Sequence, residues 1–368
     1  MSALLDRLRH KLAQRPARWC VTGAAGFIGS HLAAALLALG QDVTVLDNLS
    51  TGRMANLDAV RALVGEAAYA RLRLVRGDIT DPGDCREAVS DAAYVLHHAA
   101  LGSVPLSLED PLGCNAANVT GCCNMLEAAR TQGVAAFVYA SSSAVYGEEP
   151  GLPKTEDMRG APLSPYALSK TVNELYADVY ARCYGLRVVG LRYFNVFGPR
   201  QDPNGAYAAV IPRWFDALAR GEAPQINGDG LTTRDFCYVA DVVRANLLAA
   251  TSDDPALSGQ VCNIGSGKAV TLLELFAAIR DTAATRHPGA ARIEPVFGPP
   301  RAGDIRHSLS DISKAARHLG FTPQFSLRQG LEAAADWYLG RRDAGTPAQP
   351  WPDVGAPTRF LTPDLDAP

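Results

Sequence analysis

The sequence predicts an α/β fold of the Rossmann type, a doubly wound parallel sheet with helices on both faces. Short apolar stretches alternate with helical segments through the first half of the chain, and this alternation is typical of parallel sheets. A glycine-rich turn separates the first predicted strand from the first predicted helix. An acidic residue, Asp47, ends the second predicted strand, as in dinucleotide-binding folds.

The first βαβ unit starts with a buried-strand candidate at 19–22. It is followed at once by the turn 23–29 (GAAGFIG) and by an apolar helix through Leu39. Glycines at this place let the backbone approach a pyrophosphate, whose charge is met by the amides of the helix N-terminus. A second strand spans 42–46, and Asp47 after it is placed to bind the adenosine ribose hydroxyls. Because a carboxylate repels a 2′-phosphate, the predicted cofactor is NAD rather than NADP.

Further elements continue the alternation. Strands are predicted at 73–75, 94–97 and 137–140, and helices near 84–89 and 118–130. Ligands of such sheets collect at the carboxyl ends of the strands. Three motifs fall at those ends, and they are Gly77-Asp78-Ile79, His98-Ala99-Ala100 and Ser141-Ser142-Ser143.

A candidate base lies at the start of a later helix. Pro165 suits the first helical turn and Ser164 suits its N-cap, so Tyr166 and Lys170 stand one turn apart on one face. The lysine charge favours the phenolate and is expected to lower the tyrosine pKa, which is ordinarily near ~10. A serine of the 141–143 run can exchange a proton with the phenol. The motif therefore predicts a base for an alcohol proton near neutral pH.

Composition and charge argue against several classes of protein. A formal net charge of −3 gives no reason to expect nucleic acid or an anionic membrane as a partner. No run approaches the roughly 18 apolar residues that span a bilayer, and the eight cysteines form no C-x-x-C pair. His97 and His98 are adjacent strand residues that point to opposite faces, so we expect packed histidines and no metal site. A cytoplasmic protein is predicted.

The order of these motifs resembles that of the extended short-chain dehydrogenases/reductases, in the sugar-nucleotide epimerase group. The resemblance covers roughly residues 19–335 and includes the segments 191–200 (LRYFNVFGPR), 227–230 (NGDG), 233–236 (TRDF), 263–267 (NIGSG) and 301–304 (RAGD). The segments 102–105 and 200–207 and the N-terminal arm further resemble bacterial UDP-N-acetylglucosamine 4-epimerases of surface-polysaccharide pathways.

The resemblance implies a division of the chain into four parts. These are a helical arm at 1–18, an NAD-binding Rossmann domain at 19–192 to which later segments return, a smaller α/β domain for a UDP-sugar at 193–343, and a loose tail at 344–368. The helices near 115–131 and 166–184 resemble the pair that builds a four-helix interface in this family. A homodimer is therefore expected.

The resemblance also implies a mechanism. Tyr166 would take the proton of the sugar 4-hydroxyl as the C4 hydride passes to NAD⁺, while Lys170 holds the nicotinamide ribose. Ser142 would bridge the sugar oxygen and the phenol. A 4-keto intermediate would then turn over and take the hydride back on its other face. Because this reaction is redox-neutral, NAD can stay bound through many turnovers.

The local motifs and the resemblance together assign a cofactor set and a substrate set. The cofactor residues are Gly23, Gly26, Phe27, Ile28, Gly29, Asp47, Asn48, Ser50, Thr51, Gly52, Asp78, Ile79, His98, Ala99, Ala100, Asn118, Tyr166, Lys170 and Tyr193. The substrate residues are Gly102, Ser103, Ser142, Ser143, Tyr166, Asn195, Ala209, Val210, Trp214, Gln225, Ile226, Asn227, Arg234, Arg301, Asp304 and Ser308. Arg234 and Arg301 are the candidates to clamp the diphosphate, because guanidinium groups match phosphate oxygens. Asp304 is the candidate for the uridine ribose.

Ser308 bears on the choice of sugar. Family members that exclude N-acetyl sugars tend to carry a bulky Tyr four residues after the Asp of R-x-G-D, where this chain has Ser308. A small side chain leaves room for a 2-acetamido group, which favours UDP-GlcNAc and UDP-GalNAc over UDP-Glc and UDP-Gal. The corresponding uronic acids remain an alternative, because no base for a C6 carboxylate can be assigned or excluded.

Two other classes of function fit the residues less well. Sugar 4,6-dehydratases of this fold usually carry Asp-Glu where this chain has Ser143-Ala144, and those side chains cannot supply a positioned acid and base. A non-catalytic NAD-binding regulator is expected to have lost its chemical residues, whereas Ser142, Tyr166 and Lys170 are all present. The predicted function is therefore epimerisation.

Overall fold

A computed structural model describes residues 10–14, 16–203, 208–300 and 305–340. The predicted tail and most of the predicted arm lie outside these residues. Within the predicted arm, residues 10–14 are helical, and Leu12 among them is buried in the apolar core. Lys11 Nζ donates to the Thr251 carbonyl at 2.6 Å and pairs with Asp253. This turn is thereby attached to a helix of the first domain.

Thirteen strands occur among the described residues. They are β1 (Arg18–Thr22), β2 (Asp42–Asp47), β3 (Leu72–Arg76), β4 (Tyr94–His97), β5 (Ala136–Ser142), β6 (Val188–Tyr193), β7 (Asn195–Phe197), β8 (Gln225–Asn227), β9 (Thr233–Arg234), β10 (Phe236–Tyr238), β11 (Gln260–Ile264), β12 (Val270–Thr271) and β13 (Val296–Gly298). Seven form one sheet in the order β11-β6-β5-β4-β1-β2-β3, with all neighbours parallel. The strand order reverses between β1 and β4, which is where such sheets bind ligands. The predicted Rossmann-type fold is confirmed.

Helices connect these strands, and some of them cover both faces of the large sheet. They are Phe27–Ala38, Met54–Val64, Glu66–Tyr69, Pro82–Val89, Val104–Glu109, Pro111–Asn115, Gly121–Gln132, Pro165–Tyr184, Val210–Ala219, Val239–Thr251, Leu272–Ala284, Ser313–Leu319 and Leu327–Leu339. Two apolar clusters flank the sheet. In the described ranges, no helix has both the length and the apolar character needed to cross a bilayer.

The helix Pro165–Tyr184 begins where its sequence predicts. The Ser164 side chain accepts a hydrogen bond from the Ala167 amide, and Pro165 occupies the first turn. Gly185 ends the helix with a φ of 68°, a left-handed conformation that glycine adopts without strain. These two ends determine the register of the helix, and with it the face on which Tyr166 and Lys170 lie.

A separate apolar cluster lies around the short strands of the second half of the chain, and we call the elements that build it the second domain. Its short strands pair as β7 with β10, β8 with β13, and β9 with β12. The helix Val210–Ala219 buries Ile211, Trp214, Phe215 and Leu218, whose spacing of three and four residues forms one apolar face. β11 lies in the chain between β10 and β12, which both belong to this second domain, yet it returns to the large sheet beside β6.

Candidate active site

A cavity of about 790 Å³ opens at the carboxyl ends of the parallel strands. Among the described residues, its wall contains every predicted cofactor residue except Asn118. It also contains five predicted substrate residues, which are Gly102, Ser142, Ser143, Tyr166 and Asn195. The tertiary structure therefore brings residues from 23 to 195 to one concave surface.

The glycine turn shapes one end of this cavity. Gly23 has a φ of 69°, and a Cβ there would lie 2.8 Å from the Ala99 amide nitrogen. A Cβ on Gly29 would lie 2.2 Å from the Gly23 carbonyl oxygen. Gly26 caps the helix Phe27–Ala38 without a side-chain hydrogen bond, so the first amides of that helix are available to a pyrophosphate. These features fit a dinucleotide.

Two carboxylates stand at the adenosine end of the cavity. Asp47 Oδ2 accepts from the Ala25 amide and Oδ1 from the Leu49 amide, both at 2.8 Å, which fixes its orientation. Burial alone would raise the pKa of Asp78, but hydrogen bonds from Thr80 and Asn48 outweigh it and lower that pKa. Anionic groups at this end suit free ribose hydroxyls better than a 2′-phosphate.

The structure brings Ser142, Tyr166 and Lys170, which we call the Ser-Tyr-Lys trio, to one wall of the cavity. Ser142 is hydrogen-bonded to the Tyr166 phenol. The Lys170 Nζ atom donates to the Ala140 carbonyl at 2.9 Å and lies 5.8 Å from the centre of the Tyr166 ring. This arrangement can place a sugar hydroxyl against the phenol and the serine at the same time.

The expected lowering of the Tyr166 pKa is not found, and that prediction is wrong for this structure. Burial raises the pKa of Tyr166, and the hydrogen bond with Ser142 offsets this only in part. Burial also lowers the pKa of Lys170. The Lys170 ammonium donates to a backbone carbonyl rather than to the phenol. Desolvation of the phenolate is therefore the largest influence on the pKa of Tyr166.

Two predicted residues, Asn118 and Ser103, do not line the cavity but hold the backbone close to it. The Asn118 amide accepts from the Leu101 amide at 2.7 Å and donates to Ser169 Oγ at 3.0 Å, so it braces the loop after β4. Ser103 caps the helix Val104–Glu109 by accepting from the Leu106 amide. Both side chains accept hydrogen bonds from backbone amides. Sequence motifs alone do not reveal this structural role.

The paired histidines pack as predicted. A ring nitrogen of His97 lies 2.8 Å from Thr22 Oγ1, and His98 Nε2 lies 2.8 Å from the Tyr193 hydroxyl, which also accepts from Asn246. Within the part of the chain that the structure describes, no cluster of three His, Cys, Asp or Glu side chains is suited to a metal ion.

Buried histidines are expected to make stability depend on pH. Burial lowers the pKa of His97 to about 3 and that of His31 well below its usual value. In the unfolded chain both titrate near ~6.5, so below that pH the unfolded state binds more protons. The free energy of unfolding should therefore rise with pH, by about 1.4 kcal/mol per unit for each ring up to ~6.5. Denaturant titrations across this range measure the slope, and a flat profile would contradict neutral buried rings.

A second cavity of about 290 Å³ adjoins the first and shares Asn195, Val196 and Gln201 with it. Seven predicted substrate residues line it, and they are Asn195, Ala209, Val210, Trp214, Gln225, Asn227 and Arg234. Trp214 Nε1 donates to the Gln225 carbonyl at 3.2 Å, which fixes the indole against β8. The two cavities together suit a nucleotide cofactor and a nucleotide sugar that meet near Asn195.

Other predicted substrate residues are placed differently. Ile226 is fully buried in the apolar core, because alternation along β8 turns it away from Gln225 and Asn227. Ser308 is half-buried, and its amide donates to the Thr233 carbonyl at 3.2 Å. As far as the described residues show, it lines neither cavity. Arg301 and Asp304 lie outside the described residues.

Sequence reasoning missed several residues of the two cavities. Gln201, Arg213 and Phe236 line the second cavity. Arg213 lies three residues after Val210 in the same helix, so helical spacing from a predicted residue is a signal for it. Gln201 lies in the loop after β7, and Phe236 is the first residue of β10. The sequence pattern predicted neither of these strands.

Fold and site together define a dinucleotide-dependent enzyme with a Ser-Tyr-Lys trio. The model of the NAD dependent epimerase/dehydratase family matches residues 19–265, and the chain belongs to that family.

Similar proteins have related activities. The chain is 39% identical over 327 residues to the UDP-glucose 4-epimerase of Mycolicibacterium smegmatis, covering 88% of this chain and 99% of that protein. The structure of UDP-N-acetylglucosamine 4-epimerase from Methanobrevibacter ruminantium, in complex with UDP-N-acetylmuramic acid, matches with a TM-score of 0.81 at 38% identity, covering 89% and 99% of the two chains. The Thermus thermophilus UDP-glucose 4-epimerase in complex with NAD matches with a TM-score of 0.75 at 36% identity, covering 88% and 99%.

Proposed function

We propose that the UDP-sugar 4-epimerase activity of this enzyme is directed mainly at UDP-N-acetylhexosamines, so that it interconverts UDP-GlcNAc and UDP-GalNAc. The observation that carries the proposal is the junction of the two cavities beside the Ser-Tyr-Lys trio. A UDP group in the second cavity would place its sugar at this junction. The similarity to the Methanobrevibacter ruminantium enzyme supports an N-acetylated sugar.

The residues of the trio divide the work of the reaction. Tyr166, as the phenolate, accepts the proton of the sugar 4-hydroxyl, and Ser142 hydrogen-bonds the sugar oxygen and the phenol. When bound, NAD supplies the acceptor for the C4 hydride. Lys170, fixed by the Ala140 carbonyl, holds the nicotinamide ribose. The 4-keto sugar turns over and regains the hydride on its other face, after which Tyr166 returns the proton.

The cavity wall also supports epimerisation over elimination. Ser143 and Ala144 line the cavity directly after Ser142. Ala144 has no group that exchanges protons, and the Ser143 hydroxyl is too weak an acid and too weak a base to drive removal of a C6 hydroxyl. No acid at this place can therefore promote elimination from the 4-keto intermediate, and its carbonyl group is reduced back to a hydroxyl.

The proposal is tested by incubating the purified protein, without added cofactor, with UDP-GlcNAc and separately with UDP-Glc. Proton NMR follows the configuration at C4. We expect UDP-GalNAc to form faster than UDP-Gal. If neither substrate changes after NAD is added, N-acetylhexosaminuronic acid substrates or a regulatory role replace the proposal.

Enlarging Ser308 to Tyr should affect the two kinds of sugar unequally. Ser308 lines neither described cavity, and only the family resemblance places it beside the sugar. On that assignment a Tyr ring would occupy space that a 2-acetamido group needs, so kcat/KM for UDP-GlcNAc should fall roughly ten- to hundredfold more than that for UDP-Glc. Ser308→Ala is the control and should keep both activities. Equal losses on both substrates would show that Ser308 does not select the sugar.

We also propose a homodimer built on the helix Pro165–Tyr184. Leu168, Leu175 and Val179 are 53%, 51% and 39% exposed, and their spacing places them on one face. Exposed apolar side chains arranged in this way are typical of an interface. Light scattering after gel filtration should show a dimer for the wild type and a monomer for Leu175→Glu. Phe297 is 58% exposed in the second domain, and Phe297→Glu should stay dimeric.

A further inference from the structure

Glu174 and Arg192 form an ion pair inside the first domain, behind the Ser-Tyr-Lys trio. Arg192 Nε donates to Glu174 Oε1 at 2.8 Å and Arg192 Nη2 to Oε2 at 2.7 Å. The Arg192 side chain is 2% exposed and the Glu174 side chain is 8% exposed. A buried ion pair gains little net stability, because desolvation of both charges offsets their attraction. A net gain in stability therefore does not account for this ion pair, and a role in positioning other groups is considered instead.

The carboxylate has a third partner at the edge of the cavity. The Ser141 hydroxyl donates to Glu174 Oε1 at 2.5 Å. Ser141 directly precedes Ser142, and it is 2% exposed. The charged acceptor makes this hydrogen bond stronger than one between neutral groups. This hydrogen bond therefore fixes the orientation of the end of β5 relative to Glu174.

Three consecutive residues of β5 are joined to three residues of one helical face. The Ala140 carbonyl accepts from Lys170, and Ser141 donates to Glu174. Ser142 is hydrogen-bonded to the phenol of residue 166. The helical partners are spaced by four residues, so they lie above one another on the helix Pro165–Tyr184. The strand and the helix are therefore held in one register.

The other side of Arg192 is satisfied as well. Its Nη1 donates to the Glu156 carbonyl at 3.1 Å, and its guanidinium lies 4.8 Å from the centre of the Tyr146 ring. The Tyr146 hydroxyl donates to Asn263 Oδ1 at 2.6 Å. Burial alone would lower the pKa of Arg192, but the contact with Glu174 raises it, so the guanidinium stays charged. A fully satisfied network of this kind is rigid.

We propose that Glu174, held by Arg192, is a positioning residue that acts through Ser141 to set Ser142 against the Tyr166 phenol. Glu174 is buried behind the cavity wall, and among the described residues it lines neither cavity. It therefore acts on the reacting groups through another side chain. Its kinetic consequences rest on the proposed epimerase function.

The variant Ser141→Ala tests the proposal, because it removes the link to Ser142 and leaves the ion pair intact. The hydrogen bond with Ser142 lowers the pKa of Tyr166, so a displaced Ser142 leaves less phenolate below that pKa. We expect kcat to fall about tenfold at the acidic end of the profile and by less as the pH rises, with KM and bound NAD unchanged. A merely structural role would lower kcat by one factor at every pH.

Ser310→Ala is the matched control. Ser310 is also a buried serine that donates to a buried carboxylate, that of Asp235, and the described cavities do not include it. It should lose a similar amount of stability and keep the wild-type pH profile.

The failure of the proposal differs from the failure of the proposed function. A Ser141→Ala enzyme with the kcat, KM and pH profile of the wild type would overturn the positioning role. If the wild type does not epimerise UDP-sugars, the proposed function fails, and crystal structures of the wild type and Ser141→Ala then decide the inference. A Ser142–Tyr166 hydrogen bond of unchanged length in the variant would overturn it, and a lost or longer bond would support it.

Discussion

Replacing Tyr166 with Phe should reduce turnover of UDP-GlcNAc about a thousandfold, within the range that general-base groups contribute. The change removes the hydroxyl that is hydrogen-bonded to Ser142 and keeps the ring beside Lys170. Because the ring and the glycine turn remain, the amount of bound NAD and the KM should change little. Stopped assays of kcat, together with NAD released on denaturation, measure the two effects separately.

Tyr94→Phe is the control for this substitution. Tyr94 stacks on Trp19 with ring centres 4.3 Å apart, at the opposite end of β4 from the cavity. Its variant should keep wild-type kcat. Retained activity in Tyr166→Phe would remove the phenol from the mechanism, whereas loss of both activity and NAD would indicate damage to the fold.

Replacing Gly29 with Ala should abolish tight NAD binding. The added Cβ would lie 2.2 Å from the Gly23 carbonyl oxygen and 2.8 Å from the Ala24 Cα. These atoms belong to the backbone of the turn, so the turn and the helix N-terminus must move apart. That movement removes the amides from a bound pyrophosphate. We expect at least a hundredfold weaker NAD binding and roughly 1–3 kcal/mol of lost stability from overpacking.

Gly289→Ala is the matched control, because a Cβ there would have no neighbour within 4 Å. It should keep its NAD and its unfolding midpoint. NAD content is measured by chromatography of the denatured supernatant, and affinity by titration of the apoprotein. Wild-type NAD content in Gly29→Ala would show that the turn can rearrange without losing the cofactor.

Local signals in the sequence determined most of the first domain. Five strands of the large sheet were predicted within a few residues of their observed ends, because each combines an apolar run with a nearby glycine, proline or helix signal. The helix Pro165–Tyr184 began at the predicted cap, since Ser164 and Pro165 act on adjacent backbone groups. The cofactor motifs were recognisable for the same reason, because they lie within single turns.

Long-range packing decided what the sequence pattern left open. β6 and β11 pair across about 70 residues of chain, and a short apolar run does not reveal its partner. The raised pKa of Tyr166 is another tertiary effect, because its largest cause is burial of the phenol by the folded chain. The contact of Glu174 with Ser141 and Arg192 joins a helix to two strands. Sequence by itself determined which groups are available for the chemistry, and tertiary packing decided which of them meet and how strongly water is excluded from them.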